Sequence, residues 1–205
     1  GRGYRADEAA EETAPPRREV RLRAPLFDPA ERRLSPAEAG TAHHLFMQFC
    51  DFAEAEKPGG VERELARLAE RGILSEKQAA AVKIPRIEAF FASELYRGLM
   101  KNAKVRREFK FSVLVPASRY FPAAESEPEE NVLLQGVIDC LIETEDGYVI
   151  LDFKTDRVSE GTLPERAESY RAQLDAYAAA VREICGGTVQ GSILYFFQTG
   201  TIWKM

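Results

Sequence analysis

Residues 136–154 read GVIDCLIETEDGYVILDFK, two apolar runs joined at Glu145-Asp146-Gly147. Val, Ile and aromatic side chains favour a pleated, half-buried backbone, and an acidic pair followed by glycine is turn chemistry, so the segment predicts a β-hairpin. Extended to their limits, the two strands are NVLLQGVIDCLIET (131–144) and YVILDFKTD (148–156). Each carries one aspartate in apolar surroundings, Asp139 and Asp152, and the antiparallel arrangement brings the two toward one sheet edge. A buried carboxylate is costly unless it is paired or bound to metal, and two together repel unless a divalent cation lies between them. Oxygen-rich ligation with open positions suits Mg2+ or Mn2+. Lys154 follows Asp152 by two residues and so falls on the same strand face. A lysine there can orient an attacking water or balance charge developing on a phosphate. The bland alternative is a surface hairpin whose Asp152 and Lys154 are only solvated.

Working outward, VRREFKFSVLV (105–115) alternates polar and apolar residues and predicts another strand, and an acidic, proline-containing loop over 116–130 separates it from the hairpin. Downstream, LPERAESYRAQLDAYAAAVREI (163–184) predicts a helix ended by Gly186-Gly187, TVQGSILYFF (188–197) a central strand, and TIWKM (201–205) a short edge. Upstream the period is helical. Ser35-Pro36-Ala37-Glu38 has capping-box spacing with proline at the first helical position, and the helix it opens is expected to run to about Glu56. Pro58-Gly59-Gly60 breaks it, and VERELARLAERG stops at Gly72. Ser75 with Gln78 opens a short helix, and Pro85 a longer one through RIEAFFASELYRGLMKNA. A helical block followed by β–β–β–α–β is one α/β domain with a helical N-terminal half. Residues 1–34, polar and rich in Arg, Glu and Pro, read as a linker or arm, leaving a domain over 35–205 divided into a helical part (35–104) and an α/β core (105–205).

The chain has 205 residues, 45% hydrophobic and 30% charged, a globular balance that argues against a disordered or membrane class. No apolar run approaches the roughly 18 residues of a membrane span. The first residues carry neither the apolar core of a secretory signal nor an initiator Met, which points to a fragment of a longer protein. Cys50, Cys140 and Cys185 form no C-x-x-C pair, so a disulfide framework, an iron–sulfur cluster or a structural zinc site is not expected, and a reducing cytoplasm is the default. Net charge is −5. Residues 97–110 nevertheless hold six cations, Arg97, Lys101, Lys104, Arg106, Arg107 and Lys110, against one acid, Glu108, and residues 125–130 hold four acids. Charge alone leaves the partner open. No G-x-x-x-x-G-K-[ST] phosphate loop is present, so no ATP chemistry is expected from these residues.

GVID (136–139), ILDFKTD (150–156) and YRAQLDAY (170–177) together resemble the nuclease domain of the AddA/RecB-type bacterial helicase–nucleases, members of the PD-(D/E)XK superfamily. The pattern there is G-x-x-D, then D-x-K, then a helix bearing Q-x-x-x-Y. Two upstream elements also match, Gly40-Thr41-Ala42-His43-His44 to a G-T-x-x-H helix and Arg107-Glu108 to an R-E strand. The match spans roughly residues 35–198 in the right order, and the helix running from Gly40 into FMQF (46–49) favours the AddA branch.

The resemblance implies a restriction-endonuclease-like core, a mixed sheet flanked by helices, and a Mg2+-dependent deoxyribonuclease acting on DNA, single-stranded and exonucleolytic by preference, in double-strand-break repair. It implies His44, Asp139, Asp152 and the Phe153 carbonyl as metal ligands, with Glu108 assisting and Lys154 catalytic. Adjacent helical residues point about 100° apart, so His44 takes the ligand register and His43 another face. Gln173 and Tyr177, four apart on one helix face, border the site and contact the DNA backbone, and Thr155 and Arg157 are further phosphate contacts. The basic run leading into Glu108 is a candidate DNA-approach surface. Partners implied are the helicase portion of the same polypeptide and a second helicase–nuclease subunit, with no membrane. The rival reading is a non-catalytic DNA-binding or docking module that kept the fold. A stand-alone single-domain nuclease would carry four cysteines, and this chain has three.

Overall fold

The computed structural model describes residues 34–116 and 131–205. The arm expected over 1–34 and the loop expected over 116–130 therefore lie outside the described residues, apart from Leu34 and Pro116.

Helix α1 spans Pro36–Phe49 and opens as predicted: Ser35 Oγ accepts from the Glu38 N–H at 3.2 Å, and the Glu38 carboxylate accepts from the Ser35 N–H at 2.7 Å. It ends well before Glu56. Cys50 is extended, and Asp51 caps a separate short helix, α2 (Phe52–Ala55), by accepting from the Ala53 N–H at 2.9 Å. The signal was an Asp-x-x-Glu spacing within what reads as one continuous helix. Carbonyls at the end of α1 find partners in two arginines. Arg107 donates to Met47 O (3.0 Å) and Cys50 O (2.5 Å), and Arg67 donates to Phe49 O (3.0 Å). Helices α3 (Gly60–Glu70), α4 (Glu76–Ala81) and α5 (Ile84–Ala92) follow. The long helix expected from Pro85 breaks at Ser93, whose hydroxyl donates to Phe90 O at 2.6 Å and accepts from the Tyr96 N–H at 3.2 Å. A π-helical turn, Leu95–Met100, then leads into the sheet.

The sheet has five strands in the order β1 (Lys104–Pro116), β2 (Asn131–Thr144), β3 (Gly147–Lys154), β4 (Val189–Phe196), β5 (Thr201–Lys204). All neighbours are antiparallel except β3 and β4, which run parallel. Their crossover is helical, but the single helix expected over 163–184 is two, α6 (Leu163–Glu168) and α7 (Arg171–Cys185), parted at Ser169 and Tyr170. This is the mixed sheet flanked by helices expected of a restriction-endonuclease-like core.

Each face of the sheet has its own core. On one face Phe46, Met47, Leu68, Ile87 and Phe90 pack on Cys140, Ile142, Leu151, Phe153 and Tyr195. On the other, Leu174, Tyr177, Ala180 and Val181 of α7 pack on Phe111, Ile138, Leu141, Ile150 and Leu194. Phe90 is fully buried at the centre of the first, with ring centroids 5.3 Å from Phe153 and 5.0 Å from Tyr195.

One irregularity positions everything that follows. Along β1, Val105 and Arg107 face the first core, yet Phe109 and Phe111 face the second. Along β2, Ile138 and Leu141 face the second core while Cys140 and Ile142 face the first. A regular strand alternates without interruption, so both strands exchange faces at one level. That level is Glu108 and Asp139, which fall between the paired residues Arg107↔Cys140 and Phe109↔Ile138. Glu108 has φ +52°, in the left-handed region that costs an L-residue roughly 1–2 kcal/mol. Pairing of β2 with β3 also stops here, at Cys140↔Leu151. Beyond it the β1–β2 ribbon leaves β3, and the sheet splits.

Candidate active site

The split leaves the end of β3 unpaired with β2, and the side chains around it come from four elements. Asp139 stands on β2 at the point of departure. Its Oδ2 accepts from the Phe153 N–H at 2.7 Å, taking the place of a backbone partner, and its Oδ1 lies 3.3 Å from His44 Nδ1. His44 comes from α1, across the sheet edge, with its ring edge-on to Phe153 at 6.5 Å. Asp152 and Lys154 share a face of β3, as strand alternation requires, and their Oδ2 and Nζ lie 2.6 Å apart. Both are buried.

The second-core face completes the surroundings of Lys154. Its Nζ donates to Gln173 Oε1 at 3.3 Å, and Gln173 Nε2 donates to the Tyr177 hydroxyl at 2.7 Å. The ring of Tyr170 lies 3.7 Å beneath Nζ, a cation–π contact. The Tyr170 hydroxyl donates to Asp156 Oδ2 at 2.7 Å, and Asp156 also accepts from Arg166 at 2.6 Å. Tyr170 is a residue that sequence reasoning passed over inside a helix expected to be continuous. A signal was present, since Tyr170, Gln173 and Tyr177 recur at i, i+3 and i+7 and so share one helix face.

The electrostatics follow from crowding. Burial, and then the charge on Asp139, push the Asp152 carboxyl above its usual range against the pull of Lys154. Burial and the same Asp139 raise Glu108, which sits across the ribbon from it. Burial lowers the His44 imidazole, but its hydrogen bond to Asp139 and the two aspartate charges outweigh that and hold it above its ordinary value. Each aspartate thus leans on one neighbour, Asp139 on the His44 imidazole and Asp152 on the Lys154 ammonium. Among the described residues no three His, Cys, Asp or Glu side chains are gathered closely enough to clasp a metal as they stand. The buried Oδ2 of Asp152 nevertheless has no aligned hydrogen-bond donor among the described residues, although the Lys154 ammonium lies 2.6 Å from it.

The two histidines separate as the helix period predicts. His43 is buried away from the carboxylates, where Nδ1–H donates to Ala39 O (2.8 Å) and Nε2 accepts from the Lys83 N–H (3.1 Å). Thr155 and Arg157 are not part of the carboxylate cluster; they line a neighbouring groove. The basic run 97–110 is largely spent on structure. Lys101 pairs with Glu56 (2.9 Å), Lys104 with Glu143 (3.0 Å) and Arg106 with Glu143 (2.6 Å), while Arg107 points inward to α1 and stacks on Phe52 at 4.6 Å. Two glycines hold the parts together. A Cβ at Gly136 would lie 2.6 Å from the Phe111 ring and 3.1 Å from Tyr177, and one at Gly40 would lie 2.7 Å from Thr155 Oγ1, so α7 and α1 both approach the sheet through positions that admit no side chain.

A mixed sheet split at a half-buried Asp139 and a buried Asp152, with a lysine two residues beyond the second, is the arrangement of a nuclease core, and a model of the PD-(D/E)XK nuclease superfamily matches residues 17–202. The chain belongs to that superfamily. Among characterised proteins it is similar to the AddA-type subunit of the ATP-dependent helicase/nuclease from Pelotomaculum thermopropionicum, 42% identical over 176 residues, 86% of this chain and 14% of that protein. The corresponding subunits from Desulforudis audaxviator (39% over 188 residues) and Thermoanaerobacter sp. (36% over 186 residues) cover 92% and 90% of this chain, and 15% of each relative. The chain thus spans about one seventh of the length of these relatives. Among the described residues no helix is long and apolar enough to cross a membrane.

Proposed function

We propose that this chain hydrolyses DNA phosphodiester bonds with the help of a divalent cation, Mg2+ first and Mn2+ as the alternative, as the nuclease module of a longer helicase–nuclease polypeptide. The observation that carries the reading is the Asp139–Asp152–Lys154 cluster at the split of the sheet, in a chain that belongs to a nuclease superfamily. An imidazole, two carboxylates and a backbone carbonyl are donors that suit such a cation, and the unaligned buried Oδ2 of Asp152 is an oxygen with lone-pair capacity to give. His44, Asp139, Asp152 and the Phe153 carbonyl would hold the ion, with Glu108 assisting. When bound, it supplies Lewis acidity at the phosphoryl oxygen and lowers the pKa of a coordinated water. Lys154, fixed between Asp152, Gln173 and the Tyr170 ring, holds the attacking water and balances charge on the phosphate. Asp139 keeps the end of β3 in place through the Phe153 N–H. Gln173 and Tyr177 border the scissile phosphate, and Thr155 and Arg157 take neighbouring ones.

The name of the relatives supports placing ATP use on a helicase part of the longer polypeptide, with another helicase–nuclease subunit for partner and DNA-end processing in double-strand-break repair as the setting. Single strands leaving a helicase are the substrate this reading favours, cut exonucleolytically in the cytoplasm. The test is cleavage of end-labelled single-stranded DNA with and without Mg2+, comparing the unmodified chain with Asp152→Ala. Metal-dependent cutting lost in the variant is expected. Cutting that survives Asp152→Ala would overturn the site, and DNA binding without cutting at any metal concentration would favour the non-catalytic docking module.

A further inference from the structure

Beside the carboxylate cluster runs a groove of about 560 Å³, walled by the start of α1, the α4–α5 junction and the loop after β3. Three cations line it, Lys83, Arg86 and Arg157, together with Thr155 and Gln198. Among the described residues none of the three is engaged in an ion pair. The one acid in the groove, Asp156, is already held by Arg166 and by the Tyr170 hydroxyl, which keep its carboxyl below the usual range despite burial. In a chain of net charge −5, three cations facing one groove, none of them ion-paired among the described residues, are conspicuous. The wall of the groove is held in place. The Lys83 backbone is pinned by His43, and Gly40 lets α1 close on Thr155.

The groove is continuous with the site. Thr155 directly follows Lys154, and the three residues from Lys154 to Arg157 reach at most about 10 Å, so the groove opens directly beside the cluster. We infer that this groove is the path of the DNA strand flanking the scissile phosphate, with Lys83, Arg86 and Arg157 neutralising consecutive phosphates. Four of the six cations of the basic run 97–110 are held by contacts within the fold, which favours approach of the strand over the α4–α5 side. The inference rests on the DNA-cleavage reading and extends it from the cluster to a specific surface.

The experiment is binding of a fluorescent oligothymidylate to the unmodified 205-residue chain, in chelator, between 50 and 200 mM salt. Two triple variants are compared: Lys83→Gln/Arg86→Gln/Arg157→Gln in the groove, and Lys101→Gln/Lys104→Gln/Arg106→Gln on the basic run. Each single-strand phosphate contact contributes about 0.7 to the slope of log affinity against log salt, so losing three lowers the slope by about 2. Across that fourfold salt range the groove variant should lose roughly 15- to 20-fold of the salt dependence of the unmodified chain. The run variant should keep its slope. Arg157→Gln alone, at an exposed loop position, should lower the slope by about 0.7 and guards against a triple variant that does not fold. An unchanged slope in the groove variants, or an equal loss in the run variant, overturns the inference. If the chain cleaves DNA but its KM is indifferent to the groove, the inference falls alone. If it neither binds nor cleaves, the DNA reading falls with it.

Discussion

Arg107→Met removes the guanidinium that ties β1 to the end of α1. Two hydrogen bonds from a charged donor go with it, to Met47 O and Cys50 O, worth about 1.5–3 kcal/mol each when well formed. So does a stack on Phe52 at 4.6 Å, worth roughly 0.5–2 kcal/mol. Methionine keeps the stem's packing and recovers part of this, and Arg107 is half-buried, so water can reach one of the orphaned carbonyls. The net loss should be about 3–5 kcal/mol, a fall in Tm of roughly 6–20 °C for a domain of this size. Arg107→Lys keeps a charged donor for the carbonyls that Arg107 serves from its single Nη1 but loses the planar stack on Phe52, and should cost about half as much. Urea unfolding followed by circular dichroism reads both numbers. A loss under about 1 kcal/mol for Arg107→Met would mean that water satisfies the end of α1 without help, refuting the clamp. Weaker DNA binding at unchanged stability would return Arg107 to the DNA-approach surface expected from the sequence.

Phe90→Ala empties the centre of the aromatic core and should cost about 3–5 kcal/mol, visible as a lower urea midpoint at unchanged slope. The bonds from Arg67 hold the Glu64 carboxyl below its usual range; the unfolded chain therefore binds more protons in mild acid, and stability present at neutral pH falls as pH drops below about 4.5. Glu64→Gln should flatten that acid limb in a series of urea titrations from pH 6 to 3, whereas an unaltered limb would locate the loss elsewhere. Gly136→Ala should destabilise by about 1–3 kcal/mol through its collision with the Phe111 ring, and Phe111→Leu in the same chain should recover part of it. A double variant no better than the sum of the two single ones would place the clash on Tyr177 instead.

How much was legible in the sequence follows from which interactions are local. The hairpin over 131–154, the capping boxes at Ser35 and Ser75 and the shared face of Asp152 and Lys154 depend on residues two to four apart, and period and turn chemistry reveal them. The breaks at Cys50, Ser93 and Ser169 were missed because each lies inside an apolar period that continues across it. They are made by distant partners or by a single side chain outbidding a helix bond, as Arg107 does at α1 and the Ser93 hydroxyl does at Phe90. The pairing within the basic run was hidden for the same reason: a count of cations is local, but whether each is already paired is not, and four of the six are held by the fold.

The sequence by itself determined the fold class, the superfamily and the residue types that meet at the site, because those are written in periodicity and in short motifs. Only the tertiary structure decided that β1 and β2 exchange faces together at Glu108 and Asp139, that the sheet therefore splits beside Asp152, and that Tyr170 comes to lie under Lys154. It also decided which cations are spent on ion pairs among the described residues, leaving Lys83, Arg86 and Arg157 along one groove. The physical reason is common to all of these. Strand divergence, ring stacking and charge pairing are contacts between residues tens of positions apart, and their outcome is set by packing that no single stretch of sequence contains.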